Sequence, residues 1–345
     1  MSPVCAEFSI ERVTQMLSKK FACSLSLVAV LGLAACGGGA DTADTGAEDG
    51  TDTAATEETD VAGTVTIDGS STVFPVSEAM AEEFQLANPD VRITVGASGT
   101  GGGFEKFCGG ETQVSGASRP IKDEELANCN EAGIEVIEVP VATDALSVVV
   151  NPENDWAVCM TLDELNTIWS PESEGTVDNW NQVNPDFPDA PLVLYGPGTD
   201  SGTFDYFTET INGEEGDSRA DYTASEDDNV LVQGVEGDVN ALGYFGYAYY
   251  FENQDRMQSV EVDGGSGCVA PNEDTVLAGE YAPLSRPLFM YYSKAAYDED
   301  PAVKAFIDFV VDPANKELVA GTGYVPRSDD QYAETKSKIE AGETK

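Results

Sequence analysis

The chain has 345 residues, 17 Lys+Arg against 63 Asp+Glu, and a formal net charge of -46. Such a surface repels nucleic acid and anionic lipid, and its cations are too few for a groove that tracks a phosphate backbone. No histidine occurs anywhere, which excludes a Ser-His-Asp triad, a Cys-His pair and a histidine-ligated zinc. The length suits two lobes once the ends are set aside. The acidity reads as a solvated surface suited to high salt, where repulsion is screened within ~3 Å at 1 M. No EF-hand loop of the D-x-[DN]-x-[DN]-G type is present, and no metal site is expected.

Lys19 and Lys20 precede the apolar run FACSLSLVAVLGLAAC, which is too short for a transmembrane helix and ends in small residues. Residues 1–35 are therefore read as an export signal, with Met16 as an alternative start. Leu33-Ala34-Ala35-Cys36 resembles a bacterial lipobox, which implies cleavage before Cys36 and lipid attachment to its sulfur. Residues 36–63 follow as an acidic, disordered, lipid-anchored linker, because Gly37 to Gly63 holds no aromatic residue, Lys or Arg. Setting aside Cys5, Cys23 and Cys36 leaves Cys108, Cys129, Cys159 and Cys268. An even number in an oxidising compartment implies two disulfides, taken here as Cys108–Cys129 and Cys159–Cys268. No C-x-x-C spacing favours a metal instead.

The folded part opens with VTIDGSSTVFPVSEAMAEEFQLANP: a β-type run, a Gly/Ser/Thr turn, and an amphipathic helix that ends before Pro89. VRITVGASGTGGGFEKFC repeats the plan, and YGPGTDSGTF leads into the helical TFDYFTETI as a third copy. A helix start leaves backbone N–H groups unpaired and carries about half a positive charge, so it favours anions. Glycines let the backbone approach closely, and Ser or Thr hydroxyls add rotatable donors. Three such loops describe a cage of neutral donors suited to a tetrahedral oxyanion. Gly198-Thr199-Asp200-Ser201-Gly202 does not have the G-x-S-x-G order of a nucleophile elbow. The glycine run lacks the G-K-[ST] of a P-loop and does not match G-x-G-x-x-G, so nucleotide binding is disfavoured. In VSGASRPIKDEEL, Arg119 beside Ser118 offers the planar fork that would complete an anion site. Arg286 in LSRPLF is the weaker candidate for that charge, with a structural role as its first reading.

DGSSTVFP, ASGTGGGFEKFCGGE, SGASRPIKDEE and GPGTDSGTFDYFTE, in this order, resemble the PstS family, the phosphate-binding component of bacterial phosphate uptake transporters. The resemblance runs from about Val65 to Pro326 and takes in VEGDVNALGYFGYAYY and GTGYVP. It implies an α/β fold of the type II periplasmic-binding-protein kind, two α/β lobes joined by a hinge with the ligand cleft between them. Carried over, it makes Ser71 and Thr72 hydroxyl donors with the Val73 N–H nearby. The second loop supplies Ser98 with the Thr100 and Gly101 N–H groups, and the third Ser201, Gly202 and Thr203. Two departures stand out: Pro197 where family members place an arginine before the third-loop serine, and Arg119 where they have an aspartate. That aspartate accepts a hydrogen bond from protonated phosphate and repels sulfate, and Asp144 in VPVATDALSVVV is its nominated substitute, with a hinge or Arg-orienting role as the alternative.

The expected layout places lobe I at 64–145 and 276–345 and lobe II at 146–275, the strand-like VATDALSVVVNP crossing between them. The aromatic GYFGYAYYF is expected in the core. The expected function is extracytoplasmic capture of inorganic phosphate by lobe closure and delivery to ABC transporter permease subunits. The protein would be a monomer, tethered to the cell membrane through its lipid anchor, facing periplasm or cell exterior, binding no nucleic acid, using no cofactor and catalysing nothing. Two alternatives stay open, an exported serine-dependent phosphatase using Ser201 and a lipoprotein receptor that senses phosphate without transport. Arsenate, molybdate and tungstate also fit such a cage.

Overall fold

A computed structural model describes residues 61–199 and 201–345. The expected export signal, the alternative start at Met16, the expected lipidation site at Cys36 and the linker up to residue 60 lie outside the described residues. β1 (Gly63–Gly69), α1 (Phe74–Ala87), β2 (Val91–Val95), α2 (Gly99–Cys108), β3 (Val114–Ala117) and α3 (Asp123–Glu131) alternate and lead into β4 (Val136–Val150). α1 has Pro75 in its first turn, where the missing N–H costs nothing, and ends as predicted ahead of Pro89. The Asn88 amide donates to the Phe84 carbonyl at 2.9 Å to close it.

β4 is fifteen residues long, and Val141 to Val150 are all buried. A continuous apolar run of this kind belongs to a strand covered on both faces. Its first part, Val136 to Ala145, pairs antiparallel with the strand Ser285–Ser293. Its last part, Leu146 to Val150, pairs antiparallel with Ala241–Gly246. The crossing strand thus starts well before the predicted VATDALSVVVNP and belongs to both halves of the sheet. β1 lies parallel between β2 and β3, and β3 pairs with Ser285–Ser293. Beyond β4, Ala241–Gly246 pairs parallel with Val193–Gly196, the strand that precedes the third loop. Among the described residues no helix is long and apolar enough to cross a membrane.

Strand alternation distributes side chains to separate cores on the two faces. In Ser285–Ser293, Leu288, Met290 and Tyr292 enter one cluster with Val76, Phe84 and Phe306, while Phe289 and Tyr291 enter another with Phe104 and Phe107. In Ala241–Gly246, Leu242 and Tyr244 join Trp169, Trp180 and Phe207, while Ala241 and Phe245 join Leu231, Val232 and Val235. Val276, Tyr281, Leu284 and Val325 also pack in the cluster of Trp169. The aromatic GYFGYAYYF is core only in part. Tyr244 and Phe245 are buried, but the helix Tyr247–Glu252 turns Tyr249 and Phe251 outward, 37% and 56% exposed.

The structure joins Cys108 to Cys129 and Cys159 to Cys268. The second bridge spans 109 residues and ties the small strand Cys159–Thr161 to Cys268–Val269. A cross-link over a loop of that length constrains the unfolded chain most. Arg219, 4% exposed, braces the same half of the molecule. Its guanidinium donates to the carbonyls of Ile168 and Val177 at 2.9 and 3.0 Å and to both Asp221 oxygens at 2.5 and 2.9 Å. Those hydrogen bonds hold the Asp221 carboxyl down at about 2.

Two outcomes follow. Replacing both Cys159 and Cys268 by Ser should lower the unfolding free energy by about 2–4 kcal/mol in a urea titration, while the double Ser variant of the shorter Cys108–Cys129 loop loses less. Asp221 has a depressed folded-state pKa, so its contribution is complete above the ordinary carboxylate value near ~4 and is lost as pH falls through about 2. The Asp221 side chain is 35% exposed and solvent screens part of this effect, so Asp221→Asn should cost about 0.5–1.5 kcal/mol at neutral pH, and its stability should fall less steeply than that of the parent protein between about pH 4 and 2.

Candidate functional site

The site begins with a close approach of backbone. An ideal Cβ on Gly69, at the end of β1, would lie 2.1 Å from the Gly116 carbonyl oxygen. One on Gly103 would lie 2.5 Å from the Gly69 Cα. The glycine run therefore lets α2 seat directly on β1 and β3, and it brings the first two loops side by side. Gly99, with φ +82, turns the chain into α2.

In the first loop, Ser70 is buried and acts as a scaffold. Its hydroxyl accepts from the Thr72 N–H at 3.2 Å, and its carbonyl accepts from the Val73 and Phe74 N–H groups at 3.1 and 3.0 Å. The Val73 N–H named from the sequence is thus used inside the turn. In the second loop, the Thr100 and Ser118 hydroxyls lie 3.2 Å apart, and the Ser118 N–H donates to Thr100 Oγ1 at 3.3 Å. Ser98 turns the other way: its hydroxyl donates to Asp68, which also receives Lys106 at 2.7 Å. In the third loop, Ser201 caps the helix Gly202–Asn212, its hydroxyl accepting from the Thr203 N–H at 3.2 Å. A Cβ on Gly202 would lie 3.8 Å from Thr72 Oγ1, so the third loop faces the first.

A cleft of about 300 Å³ opens between these parts. It is lined by Ser70, Ser71 and Thr72, by Gly99, Thr100 and Gly101, by Ser118 and Arg119, and by Asp205, Tyr206, Glu209, Glu215 and Arg286. Of the residues named from the sequence, Ser71, Thr72, Thr100, Gly101, Ser118 and Arg119 come together on its walls. Val73, Ser98, Ser201, Gly202 and Thr203 lie behind or beside them.

Two guanidinium groups reach the cleft, and their surroundings differ. The Arg119 fork is already taken by Glu125, at 2.9 and 2.8 Å. That carboxylate also accepts the Lys122 N–H at 2.9 Å at the start of α3, so it is anchored independently. The hydrogen bonds to Glu125 push the Arg119 pKa up. Arg286 sits directly across the sheet from Asp144, its register partner on β4. Its Nε donates to Asp144 at 3.2 Å, and its Nη2 lies 3.5 Å from Thr72 Oγ1. Its Cζ stacks 3.8 Å above the Tyr206 ring, and Glu209 stands 3.9 Å from Nη1. Tyr206 is held in place by its hydroxyl, which donates to the Pro283 carbonyl at 2.7 Å. Asp144 is 5% exposed; burial raises its pKa, against the pull of Arg286. Burial and then Glu215 raise that of Asp205.

The Arg-orienting role weighed for Asp144 thus has a partner in the structure, and that partner is Arg286, the weaker candidate from sequence. The overlooked signal is an ionisable residue inside each of two apolar strand runs, VATDALSVVV and SRPLFMYY. Lone opposite charges in paired apolar strands point to each other. Asp205, Tyr206 and Glu209 carry no such signal, because they occupy successive turns of an ordinary amphipathic helix.

Comparisons with known proteins agree with this architecture. Residues 54–314 match the family model of the PBP superfamily domain. The chain is 48% identical over 276 residues to Protein SphX of Synechocystis sp., covering 80% of this chain and 82% of that one. It is 39% identical over 274 residues to the phosphate-binding protein PstS of Staphylococcus saprophyticus, covering 79% and 83%. Among solved structures, a possible phosphate binding protein from Planctomyces limnophilus matches with a TM-score of 0.77 and 47% identity, over 81% of this chain and 99% of that one. The mixed α/β, two-lobed fold and these relatives together place the chain: it belongs to the PBP superfamily and, within it, to the PstS family.

Proposed function

We propose that the chain captures inorganic phosphate in the cleft between its lobes, closes over it, and delivers it to an ABC permease. The names of the relatives support the ligand. The observation that carries the reading is Arg286, fixed by Asp144 and Tyr206 on the wall of the cleft that Ser71, Thr72, Thr100 and Ser118 also line. A planar fork with surrounding hydroxyl donors suits a tetrahedral oxyanion. In this reading Arg286 supplies the charge, and Arg119, engaged by Glu125, shapes the wall. Lobe I comprises 64–145 and 276–345 and lobe II 146–275, with β4 as one of the connections and Val276, Tyr281, Leu284 and Val325 of the returning segment packing into the lobe II core. Closure brings Ser201, Gly202 and Thr203 onto the ligand from the facing lobe, so occupancy shifts an open–closed equilibrium that a permease reads. Lipid on Cys36 keeps the protein at the outer face of the membrane. Ser201 has no imidazole to activate it, and its role is binding rather than catalysis.

The carboxylates of Asp205, Glu209 and Glu215 decide which oxyanion enters. A ligand that brings its own proton can donate to them, whereas sulfate, without a proton at neutral pH, meets only repulsion. Asp205, on the wall beside Tyr206, is the nominated acceptor.

Calorimetric titration tests both parts. Arg286→Gln should weaken phosphate binding by about 10- to 100-fold, the scale of about 1.5–3 kcal/mol for a hydrogen bond to a charged group, while Arg119→Gln changes it by less than about threefold. The reverse order would assign the charge to Arg119, and an unchanged affinity in both would remove the cleft as the binding site. In the parent protein phosphate should outbind sulfate by at least roughly tenfold, and Asp205→Asn should narrow that gap; comparable affinities in the parent would overturn the proton-based discrimination.

A further inference from the structure

Arg327 is an anomaly in so acidic a chain. Among the described residues, Arg92, Lys122, Lys336 and Arg327 are the cations outside every ion pair, and the first three are exposed. Arg327 is partly withdrawn from solvent, and its buried Nε has no hydrogen-bond partner. Burial lowers its pKa, although Glu334 acts the other way. The nearby Tyr332 hydroxyl, whose titration feels the Arg327 charge, is likewise buried and without a partner. A buried guanidinium N–H and a buried hydroxyl that bond to nothing are costly unless a ligand satisfies them.

The side chain lines a cavity of about 230 Å³, closed by Glu138 and Pro140 of β4 and by Lys338 and Lys345. Glu138 is occupied by Lys345 at 2.9 Å and the Tyr291 hydroxyl at 2.6 Å, and Glu334 by Lys338 at 2.7 Å. Glu343 also faces the cavity. Three cations against three carboxylates disfavour a highly charged ligand. The volume is below the ~300–1,000 Å³ of pockets for drug-sized molecules, which limits the occupant to a small one.

We propose that this cavity is a second oxyanion site, separate from the cleft between the lobes, in which the Arg327 fork holds a small carboxylate or phosphate anion of low charge. The planar guanidinium matches two oxygens of either group, and Lys338 and Lys345 line the same cavity.

The test follows the arginine Nε–H resonances of the full chain by proton–nitrogen NMR, with acetate and inorganic phosphate titrated separately. The Arg327 signal, assigned by its loss in Arg327→Lys, should shift saturably with at least one anion. A response to acetate alone assigns a carboxylate ligand and to phosphate alone a phosphate; a response to both supports the shared chemistry. Arg286→Gln should leave the midpoint of this response within about twofold, which keeps it distinct from the cleft. With Arg327→Lys, which keeps the charge and loses the fork, the Tyr332 ring signals should report binding at least roughly tenfold weaker. An Arg327 resonance unmoved by either anion in the unmodified protein, or a response that disappears with Arg286→Gln, overturns the proposal.

Discussion

The cross-strand pair of Asp144 and Arg286 is the constraint on which the cleft depends. Asp144 lies on β4 one residue before the strand passes from its first partner to its second, and Arg286 lies opposite it. Neither charge would be tolerated there alone, because a buried unpaired ion is far more costly than a buried pair. Paired, they cancel most of that cost while the Nη groups of the guanidinium face Thr72, Glu209 and the cleft. The pair is weak evidence for stability in itself, and its value is positional. Tyr206, from the far wall, then stacks on the guanidinium, so one side chain touches both walls of the cleft.

The acidic composition explains why the second arginine differs. With so many carboxylates, a cation near the surface meets one within a few ångströms, as Lys106 meets Asp68 and Arg256 meets Glu236. Both arginines follow that rule, but Arg119 spends both Nη groups on Glu125, whereas Arg286 meets Asp144 through its Nε and has Glu209 only at 3.9 Å from its Nη1. Charge at the surface and charge in the cleft therefore act on different scales. The former is screened within ~8–10 Å at ordinary ionic strength, while donors lining the cleft act at contact distance. An anion site in a chain of net charge -46 is no contradiction once those ranges are separated.

The glycine-rich loops show how composition becomes geometry. Gly69 and Gly103 are required because backbone meets backbone where α2 crosses β1, a packing need that leaves the loops adjacent. The serines then divide their roles. Ser70 and Ser201 cap turns, Ser98 binds Asp68, and Ser71, Thr72, Thr100 and Ser118 remain on the cleft wall. Identical motifs thus give unequal side-chain roles, because a hydroxyl takes whichever acceptor the fold places nearest.

By itself, the sequence determined the alternation of strand, hydroxyl-glycine loop and helix, since period and turn residues are local properties written in consecutive positions. It also determined the absence of imidazole chemistry. The end of α1 before Pro89 was legible for the same reason. What only the tertiary structure decided were matters of distance between remote residues. Arg286 and Asp144 are 142 positions apart and meet through the register of two strands. Arg119 was diverted by Glu125, a partner six residues away that the helix start of α3 aims at it. Tyr206, Asp205 and Glu209 became wall rather than surface only when the facing lobe was set against them, because which face of a helix meets a ligand depends on what packs opposite it.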